Sequence, residues 1–552
     1  VKERLAASSE TKTFLSREEL ALVRPAAGAL QLSQAEADFV HKSDARLRRR
    51  RLLAIGGTAA IIAALASFGT WARIEQKRAY AAIDLASATT NNLSFTIVDT
   101  LRTIPKTQDI RRQLLFQVAK VNRQLGNGTG DNRNASFWQQ ILEGDIAFER
   151  MQDATTQPQQ QALLAAARAK YRAAHALAAS ALAANSADDS WQHNVSVALG
   201  RQGAAEAYDD NDAVAARLYR QAVAIDTAML KRDPADRDRQ HDLQLSASQL
   251  GTLEQQRGNT DAARQALRQA EILAERVTRQ DPANRDWRHD HAMTLTSLGD
   301  LDKATGEFGA ARTHYGRAAK LLDGLVTADA SRLDWRRHLA IAWYNLVEIA
   351  LETRQWGAAR SQSDAAIAQA EALDEATRGD LSTILYRQRS DLELSDGQPA
   401  RARAAAIRSR DAARVLNDRN PQSQEYRRDL GLSHRQLGRT ELGRCDYDSA
   451  RKAAQDALAL AKALYEERDR ETDYAFDLLY THELVGEIEH GAGNLAAAKI
   501  ATGNALLIAQ GLKRTLHDDE QLAEDLQRLQ KRVDDLAKGA PAIRAATCAV
   551  PG

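Results

Sequence analysis

Cysteine is almost missing from this chain: Cys445 and Cys548 are the only two, and they lie far apart. That separation offers neither a disulfide framework nor a zinc-ligand spacing. Proline is scarce, at 9 in 552 residues, so long helices can run without interruption. Aromatics make up only 5% and β-branched runs are few, which argues against sheets. No excess of either charge exists, with 75 Lys and Arg against 74 Asp and Glu. This balance gives no whole-chain attraction to nucleic acid. The phosphate-loop pattern GxxxxGK[ST] is absent as well, so the sequence carries no motif for nucleotide binding.

What remains is alanine and leucine. Hydrophobic residues make up 44%, the composition of helices packed closely through small side chains. A chain of 552 residues exceeds one compact core, so several domains or an extended array is expected. It begins with Val1 rather than Met, as it would from an alternative start codon or with further sequence upstream.

Leu52 to Ala72 read LLAIGGTAAIIAALASFGTWA, 21 residues without a charge. At about 1.5 Å per residue this run spans the roughly 30 Å of a bilayer core. Arg46 and Arg48 to Arg51 precede it, and Trp71 sits at the far end, where an interfacial aromatic belongs. A cleavable signal peptide has a much shorter leader than the roughly 50 residues here. A single transmembrane helix at 52–72 is therefore expected. The basic excess before it places the N-terminus in the cytoplasm and the rest outside, in the periplasm of a bacterial inner membrane. Two rows of small residues, Gly56-Ala60-Ala64 and Ala59-Ala63-Ser67, permit self-association in lipid.

Beyond the span the sequence repeats. DPADRDRQHDL aligns with DPANRDWRHDH, placing Asp233 on Asp281 at a shift of 48. Trp191, Arg239, Trp287 and Trp335 then mark successive units, and Tyr426 and Tyr474 mark two more, again 48 apart. A shorter unit is read as starting near Arg378. Twenty-four residues past each marker stands Ala215, Ala263, Ala311, Ala359, Ala402, Ala450 or Ala498. Thirty-one past it, Ala222, Ala270, Ala318, Ala366, Ala457 and Ala505 recur, with Ser409 in the remaining unit. A Leu-Gly pair at eleven and twelve appears as Leu250-Gly251, Leu298-Gly299 and Leu437-Gly438, with Val485-Gly486 close to it. Tyr219 and Tyr315 occupy position twenty-eight.

This register resembles the tetratricopeptide repeat (TPR). That family has Leu-Gly in the first helix of each pair, then Ala, an aromatic and Ala in the second. The resemblance implies an all-α fold, an α-solenoid of helix pairs with a period of about 48 following the single transmembrane helix. Small residues let the paired helices approach, and stacked neighbours bury what one pair cannot. It also implies a concave groove that binds a peptide or protein partner. The stretch Leu30 to Arg51 resembles the end of a STAND-type NTPase module just before a membrane helix. It implies an alternative, the sensor half of a larger signalling or defence protein whose catalytic module lies upstream.

The expected segments are 1–45 cytoplasmic, 46–78 membrane helix with basic flanks, 79–136 helical adaptor and 137–512 repeat array. A capping helix at 513–538 and a disordered tail at 539–552 complete them. The cap rests on Leu522, Leu526, Leu529, Val533 and Leu536, which step by four and three in an otherwise charged helix.

Nothing assembles into chemistry. GNGTGDN (Gly126 to Asn132) lacks the strand and the Lys-Ser/Thr of a phosphate loop. His289, Asp290 and His291 cluster in sequence, but helical residues two apart point in different directions. His241 and His289 share a repeat position, which suggests a structural or surface role. Cys445 stands in a turn where other units have Gly. The sequon Asn134-Ala135-Ser136 matters only in a eukaryotic secretory setting. No catalytic, cofactor or metal residue is assigned. The chain is expected to be a non-enzymatic, membrane-anchored TPR scaffold with a protein or peptide partner, no nucleic acid and no cofactor.

Overall fold

The computed structural model describes residues 33–34, 36–43, 45, 133–152, 157–374, 378, 380–467, 471–516 and 519–539. The span expected at 52–72, the glycine-rich 126–132, the adaptor up to residue 132 and the tail from 540 lie outside them. The chain divides into two compact units, 1–93 with 118–139 and 94–117 with 140–552. In the first, Ser33 begins a short helical stretch, its hydroxyl 2.6 Å from the Glu36 carboxylate.

The second unit is helical throughout its described residues. It starts within α1 (Arg133–Gln152) and continues with α2 (Gln157–Ala184). Seven helix pairs follow. They are α3 (Asp189–Ala207) with α4 (Asp212–Arg232), α5 (Arg237–Gln256) with α6 (Thr260–Gln280), and α7 (Arg285–Ala304) with α8 (Phe308–Ala328). Next come α9 (Leu333–Glu352) with α10 (Trp356–Glu371) and α11 (Leu381–Ser395) with α12 (Pro399–Arg419). The last are α13 (Gln424–Gly443) with α14 (Tyr447–Glu467) and α15 (Thr472–Gly491) with α16 (Leu495–Lys513). A final helix, α17 (Glu520–Ala537), packs on α16.

The repeat has a local cause at each joint. Asp188, Asp236, Asn284 and Ser423 cap first helices, accepting from the backbone N–H of Trp191, Arg239, Trp287 and Tyr426. The markers are thus the third residues of capped helices, where that N–H needs a partner. Nineteen residues past each marker the chain turns through positive φ, at Asp210, Gly258, Gly306, Arg354, Gly397, Cys445 and Gly493. The next N–H then closes on the carbonyl fifteen past the marker, as Asn259 does on Glu254 at 2.8 Å and Gln355 on Ala350 at 2.7 Å. Four turns use glycine, which takes this conformation freely; Asp210, Arg354 and Cys445 carry a Cβ there at a cost of about 1 kcal/mol.

The alanine register is the core. All seven alanines at position twenty-four are 0% exposed. Ser409, standing where its neighbours have alanine, is equally buried and donates to the Thr383 carbonyl at 2.8 Å. Position twelve is a pit for position twenty-eight. A Cβ on Gly299 would lie 2.6 Å from the Tyr315 ring, and one on Gly203 would lie 2.8 Å from Tyr219.

The shortened unit is not the one starting at Arg378. It is the preceding one, marked by Trp335. Helix α10 has 16 residues where the other complete second helices from α4 to α14 have 21. Helix α11, with 15, also starts late. The missing residues fall at the junction of the two pairs, so the turn and alanine offsets inside each remain intact.

Among the described residues one helix, α16, is long and apolar enough to cross a membrane. It is the second helix of the last pair, with Ala498, Ala501, Ala505, Ala509 and Leu512 buried in the array. Leu522 and Leu529 of α17 join Ala505, Leu506 and Ala509 in one cluster, with Leu526 and Val533 against it.

Candidate functional site

Each first helix packs most on its own second helix and next on the second helix before it. Consecutive first helices also touch, whereas no two second helices share a substantial contact. The array therefore closes toward the first helices, and their remaining face is its inner surface.

On that face, positions two, six, nine and thirteen past the marker form one stripe, stepping by four and three. Position six is apolar in every unit: Val197, Leu245, Met293, Ile341, Ile384, Leu432 and Tyr480, all half-buried. The flanking positions are polar in most units, Gly200, Ala204 and Phe476 being exceptions, and they vary along the array. Early units carry His193, His241 and His289 at position two; later ones carry Arg337, Asp380 and Arg428.

Position two also builds a ladder to position three of the following unit. His193 Nδ1 lies 3.3 Å from Asp242, and His241 Nε2 lies 2.8 Å from Asp290. Arg428 donates to Asp477 at 2.6 Å, and next to the shortened unit Arg337 reaches Asp380, at position two instead of three, at 3.2 Å. Two rungs break the pattern. His289 meets His338, Nε2 to Nδ1 at 2.8 Å. Asp380 and Asp429 are both acids, and Arg387 compensates at 3.5 Å from Asp429. Burial raises the Asp429 pKa, Arg387 pulls it down, and the charge of Asp380 adds to the rise.

The titration directions follow from these partners. Burial opposes ionisation of Asp290, but hydrogen bonds from His241 and His289 and their charge outweigh it, leaving its pKa at about 2. Burial and then the charge of His289 lower His338 to about 4. Burial lowers His193, yet the bond to Asp242 and the acidic charge around it win, so it is raised.

Within the sequence cluster His289-Asp290-His291, His289 Nδ1 stays 3.6 Å from Asp290 while His291 turns away from both. His289 and Asp290 enter the ladder toward different units, and His291 is buried with its Nδ1 3.4 Å from Thr278 of α6. Among the described residues no group of three His, Cys, Asp or Glu could hold a metal. The sequon lies in the first turn of α1. Cys445 holds a positive-φ turn position and is disulfide-bonded, which the cysteine spacing argued against. The other cysteine, Cys548, lies outside the described residues.

A second set of charges is structural. An acid fifteen past the marker is buried and clasped by an arginine from the preceding second helix. Arg168 holds Glu206 at 2.8 Å, Arg264 holds Asp302 at 2.8 Å, and Arg403 and Arg451 hold Glu441 and Glu489 at 2.6 Å. Arg220 holds Glu254, and Arg360 holds Glu393 at 3.1 Å while also meeting Asp396. Their common offset becomes visible only once the turn defines the unit.

Capped hairpins, glycine pits and stacked alanines make this an all-α solenoid of TPR-like helix pairs. No protein-family model matches the sequence, and no curated protein matches it. Solved structures do. The apo form of RapI matches with 10% identity over 82% of this chain and 99% of its own, at a TM-score of 0.50. The apo form of the quorum sensor NprR from B. thuringiensis matches with 10% identity over 73% and 99%, at 0.41. A tetratricopeptide repeat protein from Parabacteroides merdae matches with 14% identity over 60% and 99%, at 0.31. The likeness to RapI is one of fold.

Proposed function

We propose that this chain is a membrane-anchored interaction protein that binds a peptide or protein segment along the inner face of its array, without turning over a substrate. The observation that carries this reading is the apolar or aromatic residue at position six, kept in all seven units and half-buried between mostly polar flanks. Helices pack roughly 8–10 Å apart, so neighbouring position-six residues suit every third residue of an extended segment rising about 3.3 Å per residue. The hydrogen-bonded ladder holds the face in place before a partner arrives, which lowers the ordering cost of binding.

The anchor is the uncharged run 52–72 with its arginine flank. In this reading it crosses a bacterial inner membrane once, with the N-terminus cytoplasmic and the array periplasmic. Reporter fusions at residue 40 and after residue 80 test it, and a cytoplasmic signal from the later fusion would overturn the orientation. Selection of displayed random peptides on the full chain tests the groove. Enriched peptides are expected to lose at least tenfold in affinity for Leu245→Asp, Ile341→Asp and Leu432→Asp. Unchanged affinity in all three would move the site elsewhere.

The resemblance of Leu30 to Arg51 to the end of a STAND-type module supports a second reading, in which binding is sensed and passed to a catalytic module upstream. An open reading frame continuing upstream into a phosphate-loop motif would favour it. A ribosome-binding site directly before a GTG codon would favour the free-standing scaffold.

A further inference from the structure

The outer side of the array holds a cleft of about 850 Å³ between α4 and α6. One wall is α4, with Leu230 and Lys231; the other is α6, with Arg264, Arg268, Ile272 and Arg276. Those four α6 residues follow one another at intervals of four, so they form one stripe about 18 Å long. Ile272 is 59% exposed, between two arginines. Arg264 is engaged by Asp302 and Glu307. Lys231, Arg268 and Arg276 have no carboxylate within ion-pair distance among the described residues. Asp261 is the one acid in the lining, at the end where Arg264 lies.

Repetition shows that packing does not require these residues. Where α6 has Arg268, the other units have Arg220, Gly316, Asp364, Ile407, Gln455 and Gly503. Where it has Arg276, they have Ala228, Gly324, Ala372, Val415, Ala463 and Gly511. Ile272 likewise faces Ala224, Lys320, Ala368, Asp411, Ala459 and Leu507 in the register. The combination of two unpaired arginines around an exposed isoleucine occurs in one unit alone. Elsewhere in the array most buried acids are matched by arginines, whereas these cleft cations have no counter-charge among the described residues.

We propose that the α4–α6 cleft is a second docking site, for an acidic peptide segment carrying one apolar anchor. Acidic side chains would pair with Lys231, Arg268 and Arg276 while the anchor covers Ile272 and Leu230. An extended segment rises about 3.3 Å per residue, so roughly six residues fill the stripe. A membrane surface or a nucleic-acid strand offers anions too, but a bilayer cannot enter a cleft walled by two helices. A nucleic-acid strand would also find no aromatic platform among the lining side chains.

The test uses the full chain and a short fluorescein-labelled peptide of Glu and Asp around a central Leu. Anisotropy is expected to show binding that weakens with salt. The double variant Arg268→Glu, Arg276→Glu, both exposed and outside the core, should lose at least tenfold with its helical circular dichroism unchanged. Replacing the peptide's Leu with Ser should cost severalfold, and the inner-face variant Leu432→Asp should bind the peptide as the parent does. Equal binding by the double variant overturns the proposal. So does an absence of peptide binding alongside phosphatidylserine-vesicle or oligothymidine binding that the double variant abolishes.

Discussion

His289 and His338 face each other across two consecutive first helices, Nε2 to Nδ1 at 2.8 Å, where the equivalent contacts of neighbouring units join a histidine to an aspartate or an arginine to an aspartate. With both rings neutral, one imidazole donates and the other accepts. Protonating both leaves two donors and two like charges in contact.

Acid is therefore expected to weaken this rung. His338 and His291 have pKa values near 4, below the ordinary 6.5. Between those values the unfolded chain binds more protons, so stability rises with pH. The contribution is complete above about 6.5 and is lost as pH falls through 4. Asp334, Arg337 and His289 set the charge around His338, and Asp334 alone favours its protonation. Urea denaturation at pH 7 and pH 4.5 should show a loss on the order of 2 kcal/mol attributable to His338. His338→Asp recreates the His241–Asp290 arrangement and should flatten that part of the profile. An unchanged profile would count against the rung.

The glycine pits give a paired test. Gly299→Ala places a Cβ against the fully buried Tyr315 and should destabilise the α7–α8 hairpin by roughly 1–3 kcal/mol. Ala311→Trp, in the same core, should unfold part of the array. Gly316→Ala meets nothing within 4 Å and should be neutral or stabilising by up to about 1 kcal/mol. Thermal melts of the three variants decide; similar melting of Gly299→Ala and Gly316→Ala would refute the pit.

The ion clasps should behave as buried pairs. Glu393 is 1% exposed and receives Arg360 from α10 and Arg389 from its own helix. Arg360→Met leaves that carboxylate under-compensated and should cost about 3 kcal/mol. The double variant Arg360→Met, Glu393→Met should recover part of it, because the uncompensated charge has gone. Hydrogen exchange over α10 to α12 reports the local effect, and additive losses would mean that the two side chains act independently.

Much of the fold was legible because its cause is local. Leu298-Gly299, Ala311 and Ala318 recur at fixed offsets, since each must fit beneath a neighbour one hairpin away. The deletion was harder to place. It falls at 372–380, around the marker Arg378 itself, so counting forward from Arg378 assigned it to the following unit. The inner-face stripe was written in the sequence at position six, but a half-exposed leucine and a core leucine look alike until the helix faces are known. The ladder and the clasps join residues up to 49 apart and needed the unit boundary first. The α4–α6 cleft gave no signal, because its arginines sit in a chain evenly supplied with both charges.

The clasps also determine how the array bears tension. Each ties the second helix of one pair to the far end of the next first helix, and none reaches past its neighbour. A pull along the chain therefore loads one interface at a time. The array would pay out in steps of one hairpin, each releasing on the order of 160 Å of extended chain. The join at Trp335, where Ala350 leaves no acid to hold and Arg312 reaches only the side-chain carbonyl of Gln355, lacks that fastening and is where such yielding would start.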